Sequence, residues 1–243
     1  MMKNVAIMLA AGSGKRMQSD VKKQYMEIAG KPLIYYALDT FEKSEIITDV
    51  ILVTGEDDIS YCREAIVDRF GFTKVRDIVA GGKERYHSVM AGIDAIATMG
   101  GCNYVFIHDG ARPFITEDVI ARLYEDVKTT EACVAAVKSK DTIKIANNAD
   151  FVVSTPNRNL TWIIQTPQVF EYQLIKEAYG ILKEEECGLP CQGIVVTDDA
   201  MVVETWTGHK VKLTEASYEN IKVTTPDDIA LAEVIISRKK HSL

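Results

Sequence analysis

Short apolar runs alternate with helix-patterned stretches along this chain, and that rhythm restricts its fold more than any other feature. Val5 to Leu9, Val50 to Val53, Lys74 to Val79, Tyr104 to Ile107 and Cys133 to Val137 read as buried strands. Between them, Leu33, Tyr36, Ala37, Thr40 and Phe41 follow helical spacing after Pro32, which suits the first position of a helix. Ile59, Cys62, Ile66 and Phe70 mark one face of a second helix, and Ser88, Val89, Ile93 and Ala97 belong to a third. A fourth starts at Thr116, a natural N-cap, with Glu117 and Asp118 in its first turn and Val119, Ile120, Leu123 and Val127 behind. Such alternation builds right-handed crossovers. The expected fold is α/β: a Rossmann-like, mostly parallel twisted sheet with helices on both faces.

From Lys138 to Gln165 the rhythm breaks. Thr142 to Ile145 and Phe151 to Ser154 read as two strands around Asn147-Asn148-Ala149-Asp150, which makes a protruding β-hairpin arm at about 138–165. An isolated hairpin is marginal in water, so the arm packs on a second subunit or back on its own domain. Glu171 to Glu186 returns to helix, Gly188, Pro190 and Gly193 mark a loop, and His209 to Leu213 and Asn220 to Val223 read as strands. Thr197-Asp198-Asp199 either caps a helix through Val203 or turns one carboxylate toward a cationic site. Thr225-Pro226-Asp227-Asp228 opens a closing helix, with acids at its positive end. No repeat or linker interrupts the chain, so residues 1–243 are expected to form one domain carrying the arm.

The chain is 47% hydrophobic over 243 residues, enough to bury a substantial core. No apolar run approaches the roughly 18 residues of a membrane span, and the start lacks a signal-peptide pattern, so the expected location is the cytoplasm, away from membranes. The five cysteines, Cys62, Cys102, Cys133, Cys187 and Cys191, are scattered without a Cys-x-x-Cys pair, and free thiols are expected. Cys187 and Cys191 lack the partners of a metal site.

Against a net charge of -7, the stretch Ala10 to Lys23 stands out. It follows the first strand, contains Gly12 and Gly14, and concentrates Lys15, Arg16, Lys22 and Lys23. Glycines there let backbone N–H groups approach a ligand, and phosphate is the usual guest. Local cations on an acidic chain suit one small polyanion rather than a nucleic acid. Two familiar phosphate motifs are excluded. A Walker loop would need Gly-Lys-Ser/Thr where Met17 follows Arg16. A dinucleotide fingerprint would need a glycine at Met17 and an acid where Ile34-Tyr35-Tyr36-Ala37 stands, which disfavours a nicotinamide-dependent oxidoreductase.

Ligands of open α/β sheets bind beyond the carboxyl ends of the parallel strands. The segments leaving those ends are Ala10 to Arg16, Gly81 to Arg85 and His108-Asp109-Gly110-Ala111-Arg112-Pro113. Cations predominate, and Asp109 is the exception. One carboxylate beside a phosphate site is how Mg²⁺ is commonly held, although Asp109 could instead pair with Arg112. Lys222, in the apolar setting of Ile221 and Val223, needs an anion, either a carboxylate or a substrate phosphate. His87 and His108 are expected to be hydrogen-bonded structural groups.

Leu9-Ala10-Ala11-Gly12-Ser13-Gly14-Lys15-Arg16-Met17 with Lys23-Gln24-Tyr25, then Gly81-Gly82-Lys83-Glu84-Arg85 with Ser88, His108 to Pro113, Asp141-Thr142, Gln165-Thr166-Pro167-Gln168, Thr197-Asp198-Asp199-Ala200 and Asn220-Ile221-Lys222-Val223-Thr224 span nearly the whole chain. In that order they closely resemble the 2-C-methyl-D-erythritol 4-phosphate cytidylyltransferases, enzymes of non-mevalonate isoprenoid biosynthesis. The resemblance implies that Arg16 and Lys23 stabilise the transition state and that Asp109 binds Mg²⁺. It places Ala10, Ala11, Gly12, Gly14 and Lys15 around CTP, with Gly82 and Ser88 recognising cytosine. Arg112, Thr142, Arg158 and Lys222 would hold the sugar-alcohol phosphate, Thr142 and Arg158 from an arm that reaches into the partner of a homodimer. The chain departs from the family at Lys22, where proline is common, and at Lys83, where aspartate is common. The nearest rival is a ribitol 5-phosphate cytidylyltransferase, and a catalytically silent nucleotide-binding regulator is the alternative from another class. The chemistry agrees with the residues, because a phosphate monoester is already a nucleophile at neutral pH and calls for no general base. Replacing Lys23 or Arg16 with alanine is expected to lower kcat by roughly 10²-fold or more.

Overall fold

The computed structural model describes residues 2–12, 22–189 and 193–241. Its core is a seven-stranded sheet built from β1 (Asn4–Leu9), β4 (Asp49–Thr54), β5 (Val75–Ala80), β6 (Tyr104–Asp109), β7 (Ala132–Lys138), β10 (Trp162–Glu171) and β11 (Lys212–Glu215). The order is β11-β7-β10-β6-β1-β4-β5. Every neighbouring pair is parallel except those made by β10, which runs antiparallel to both β6 and β7. The remaining strands are short: β2 (Glu27–Ile28) pairs with β3 (Lys31–Pro32), and β8 (Ile145–Ala146) pairs with β9 (Val152–Ser154).

Continuous apolar strands are explained by cover on both faces. Ala6 and Met8 of β1, Val50 and Leu52 of β4 and Phe106 of β6 face one core. That core is closed by α1 (Leu33–Lys43), α2 (Ile59–Tyr61, continued by wider π-type turns over Cys62–Asp68) and α4 (Glu117–Thr130). The alternate residues Val5, Ile7, Ile51, Val53, Val105 and Ile107 face a second core under α3 (Arg85–Thr98), α5 (Tyr172–Glu185) and α6 (Asp199–Thr207). A third cluster seats Ile235 and Ile236 of α7 (Pro226–His241) on Ile28, Leu33 and Phe114. None of the described helices is long and apolar enough to cross a membrane.

Two segments differ from expectation. Trp162–Glu171 is a central strand, so the arm ends before residue 165, and that strand holds Pro167, which has no N–H to give the ladder. The sheet accommodates it because the β10–β7 register shifts between Ile164 and Gln168, and Pro167 falls in that irregularity. Asn220 to Val223 is not a strand: the Asn220 N–H donates to Ser217 O at 3.1 Å and the Val223 N–H to Ala111 O at 2.9 Å, both in loops. The arm strands are also shorter than their patterns suggest, Ile145–Ala146 and Val152–Ser154. The four described cysteines are free, while Cys191 lies outside the described residues.

Candidate active site

The carboxyl ends of β1, β5 and β6 open onto a cleft of about 360 Å³. Ala10, Ala11 and Gly12 line it from the first turn, Gly82 and Ser88 from the second, and Asp109 from the end of β6. Lys23 and Lys222 complete the wall, together with Lys83 and Arg85. The two turns touch because Gly81 has no side chain; a Cβ there would lie 2.5 Å from the Ala11 Cβ and 2.6 Å from the Ser88 hydroxyl. Ser88 Oγ accepts the Gly82 N–H at 3.2 Å, which fixes the second turn. Glu84 and His87 form a capping box at the start of α3. The His87 Nδ1 accepts the Glu84 N–H at 3.1 Å, so its Nε2 carries the proton donated to Glu186, 2.6 Å away.

Asp109 is the electrostatic centre. Its Oδ2 lies 2.6 Å from Lys222 Nζ, and its Oδ1 is 3.3 Å from Arg85 Nε. Burial alone would raise its pKa, but Arg85 and Lys222 outweigh burial and hold the carboxyl well below the ordinary carboxylate range. The anion that Lys222 requires is thus Asp109 in the free protein. Arg112 is not the partner of Asp109 by side chain; its Nη1 donates to Asn220 O at 2.8 Å. Arg85 continues the chain of charge into the interior, donating twice at 2.8 Å to fully buried Asp199, which also accepts the Tyr179 hydroxyl at 2.6 Å. Of the two adjacent acids, Asp198 caps α6 by accepting the Met201 N–H, and Asp199 faces the cation.

The Gln165-Thr166-Pro167-Gln168 stretch supports this centre from β10. The Asp109 N–H donates to Thr166 Oγ1 at 3.1 Å. Gln165 Oε1 and Thr166 O accept both hydrogens of the Asn220 amide, which anchors the segment leading to Lys222. Gln168 Oε1 accepts the N–H groups of Asp199 and Ala200. His108, wholly buried, hydrogen-bonds Arg112 O through Nε2 and Thr166 Oγ1 through Nδ1. Burial lowers its pKa to about 4, so it is neutral at pH 7. Since a carbonyl only accepts, Nε2 holds the proton and the Thr166 hydroxyl donates to Nδ1. Neither nitrogen is left to act as a base.

The cleft gathers Ala10, Ala11, Gly12, Lys23, Gly82, Ser88, Asp109 and Lys222. Arg112 joins Asp109 and Lys222 in an adjoining cavity of about 320 Å³. Thr142 and Arg158 are exposed on the arm and line neither cavity. Gly14, Lys15 and Arg16 lie outside the described residues. Sequence reasoning missed the roles of Arg85, Thr166 and Gln168, and left open whether Asp198 or Asp199 turns toward a cation. The adjacency of two acids held one clue, because a single carboxylate suffices for a cap.

Among the described residues no group of three or more His, Cys, Asp or Glu gathers to hold a metal. Asp109, ionised and facing the cleft, nevertheless fits Mg²⁺, a hard ion usually bound through one or two carboxylates plus substrate phosphates and water. Lys222 would have to leave Oδ2 for that to happen.

A parallel sheet that delivers two glycine turns and a ring of cations to one edge defines the class: a Rossmann-like, nucleotide-handling α/β enzyme. The family model of 2-C-methyl-D-erythritol 4-phosphate cytidylyltransferase matches residues 4–238. The enzyme so named from Lachnospira eligens is 49% identical over 96% of this chain and 99% of its own length. The one from Lachnoclostridium phytofermentans is 46% identical over 97% of each. The crystal structure of 4-diphosphocytidyl-2C-methyl-D-erythritol synthase from Anaerococcus prevotii covers 97% of this chain and 96% of its own, with a TM-score of 0.84 at 33% identity. The chain belongs to the 2-C-methyl-D-erythritol 4-phosphate cytidylyltransferase family of nucleotidyltransferases.

Proposed function

We infer that this chain joins CTP to 2-C-methyl-D-erythritol 4-phosphate, releasing pyrophosphate and forming 4-diphosphocytidyl-2-C-methyl-D-erythritol. The observation that carries this reading is the cationic cleft built around Asp109, Lys23 and Lys222 in a chain that matches the family over nearly its whole length. The acceptor phosphate attacks the α-phosphorus in line and pyrophosphate leaves. An ionised phosphate needs no base, which agrees with two histidines already committed to hydrogen bonds. Lys23 and Arg16 stabilise charge on the transferring phosphoryl group, and the first glycine turn supplies N–H groups to the phosphates. Gly82 and Ser88 lie where the second turn would meet the base. Lys222, which lines both cavities, and Arg112, which lines the second, hold the acceptor phosphate. Asp109 would hold Mg²⁺, whose chemistry is to draw charge from the nucleotide phosphates.

The arm supports a homodimer. Phe151, Val152 and Val153 are 72%, 60% and 66% exposed, more apolar surface than a hairpin keeps in water without cover. A second copy would bury them and carry Thr142 and Arg158 into its neighbour's cleft. The enzyme works in the cytoplasm on two small anions, away from nucleic acid and membrane.

Pyrophosphate release tests the reaction, with CTP and UTP each crossed against methylerythritol phosphate and ribitol 5-phosphate. Turnover is expected with CTP and methylerythritol phosphate. Preference for ribitol phosphate would overturn the acceptor, and CTP binding without pyrophosphate release would overturn the enzyme reading.

A further inference from the structure

Lys23 sits in a single 3-10 turn, Lys23–Tyr25, and the side chains of Lys22, Gln24 and Tyr25 beside it are anchored elsewhere. Gln24 Nε2 donates to Ala10 O at 2.6 Å and to Gly12 O at 3.2 Å, tying the turn to the end of β1. Tyr25 is buried, with its phenol 2.5 Å from the Thr54 hydroxyl at the end of β4. Lys22, which enters the turn, places Nζ 2.6 Å from Asp58 Oδ2 in the segment following β4. The same Asp58 oxygen accepts from the Tyr25 hydroxyl at 3.4 Å, so two anchors meet on one carboxylate. Gly55 leaves room for them: a Cβ there would lie 2.9 Å from Asp58 Oδ2 and 3.1 Å from Lys22 Nζ. With its neighbours turned away, Lys23 is the lysine of this pair that lines the cleft, and its Nζ donates to Val223 O at 3.3 Å.

We propose that Lys22 is a positioning residue whose ion pair with Asp58 holds the Lys23 turn so that Lys23 meets the transferring phosphate. This rests on the role of Lys23 inferred above. An ammonium on a mobile turn loses much of its value in the transition state, because small displacements there are costly. The clamp is electrostatic and partly exposed, with 37% of the Lys22 side chain and 17% of Asp58 open to solvent. It is therefore modest in strength and sensitive to salt. Lys22 has φ −60° and ψ 134°, an extended conformation that proline also adopts. A proline at 22 would thus restrain entry to the turn without charge.

The test is steady-state kinetics on the full-length enzyme, with melting temperatures in parallel. Lys22→Ala is expected to lower kcat about fivefold while leaving KM for CTP and the melting temperature nearly unchanged. Asp58→Asn should match it, and the double variant should be no worse than either single one. Lys22→Arg should recover kcat by charge, and Lys22→Pro by geometry. From about 0.1 to 1 M KCl, where the Debye length shortens from about 10 to 3 Å, wild-type kcat should fall more steeply than that of Lys22→Pro. Lys23→Ala separates the two readings. If it keeps normal turnover, the role of Lys23 fails and the clamp with it. If it loses about 100-fold while Lys22→Ala matches wild type, or while the Lys22 and Asp58 effects simply add, the clamp alone is overturned.

Discussion

At the scale of single residues, the site is a line of alternating charges: Lys222, Asp109, Arg85, Asp199. Each buried charge is tolerable because the next one faces it. Asp199 is the deepest member, and its carboxylate also holds the Tyr179 hydroxyl, whose pKa is raised by burial and by Asp199 itself. Asp199→Asn would leave the Arg85 guanidinium short of its doubly bonded partner. In urea unfolding the variant is expected to lose about 3 kcal/mol. Tyr179→Phe removes one hydrogen bond and should lose only about 1 kcal/mol. Equal losses in the two variants would show that the guanidinium pair is not the dominant contact.

At the scale of elements, β6 and β10 are joined just beyond their paired residues by His108 and Thr166. Their antiparallel pairing brings a motif from late in the chain beneath Asp109. The neutral imidazole makes that junction sensitive to acid. An unfolded histidine takes up a proton near pH 6.5, whereas His108 in the folded protein resists protonation until about pH 4. As pH falls between those values the unfolded state gains protons that the folded state does not, so stability falls. The contribution of this group over the full window is on the order of 3 kcal/mol, and Asp109 adds a loss of the same sign at lower pH. Denaturant unfolding at pH 6.5 and at pH 4.5 should therefore show a smaller loss for His108→Gln than for the wild type. Identical slopes would place the acid sensitivity elsewhere.

At the scale of the whole molecule, the arm is the element that one chain leaves uncovered. Ile145 and Leu160 add to the exposed apolar surface of Phe151 to Val153. Mass measurement by light scattering should give twice the 27.0 kDa of one chain, and Phe151→Asp with Val153→Asp should return it to one. Mixing two inactive enzymes tests whether arms cross between subunits. Arg158→Ala spoils the arm, and Lys23→Ala spoils the cleft. Random assortment makes half the dimers mixed, each with one intact site, so about a quarter of wild-type activity should return. No recovery on mixing would mean that each arm serves its own chain.

Strand and helix alternation, the glycine turns at strand ends and the local excess of cations were legible in the amino-acid sequence because each is written in neighbouring residues. The same holds for the arm, whose two strand patterns flank an Asn-Asn-Ala-Asp turn. Other features depend on residues far apart in the chain, such as Arg85 with Asp199 and Lys22 with Asp58. Local pattern left Asp199 open between a helix cap and a cation partner, and it held no sign that the segment around Pro167 is a central strand. Only tertiary packing, by offering the Arg85 guanidinium of α3 to one and a register shift between strands to the other, decided what each would do.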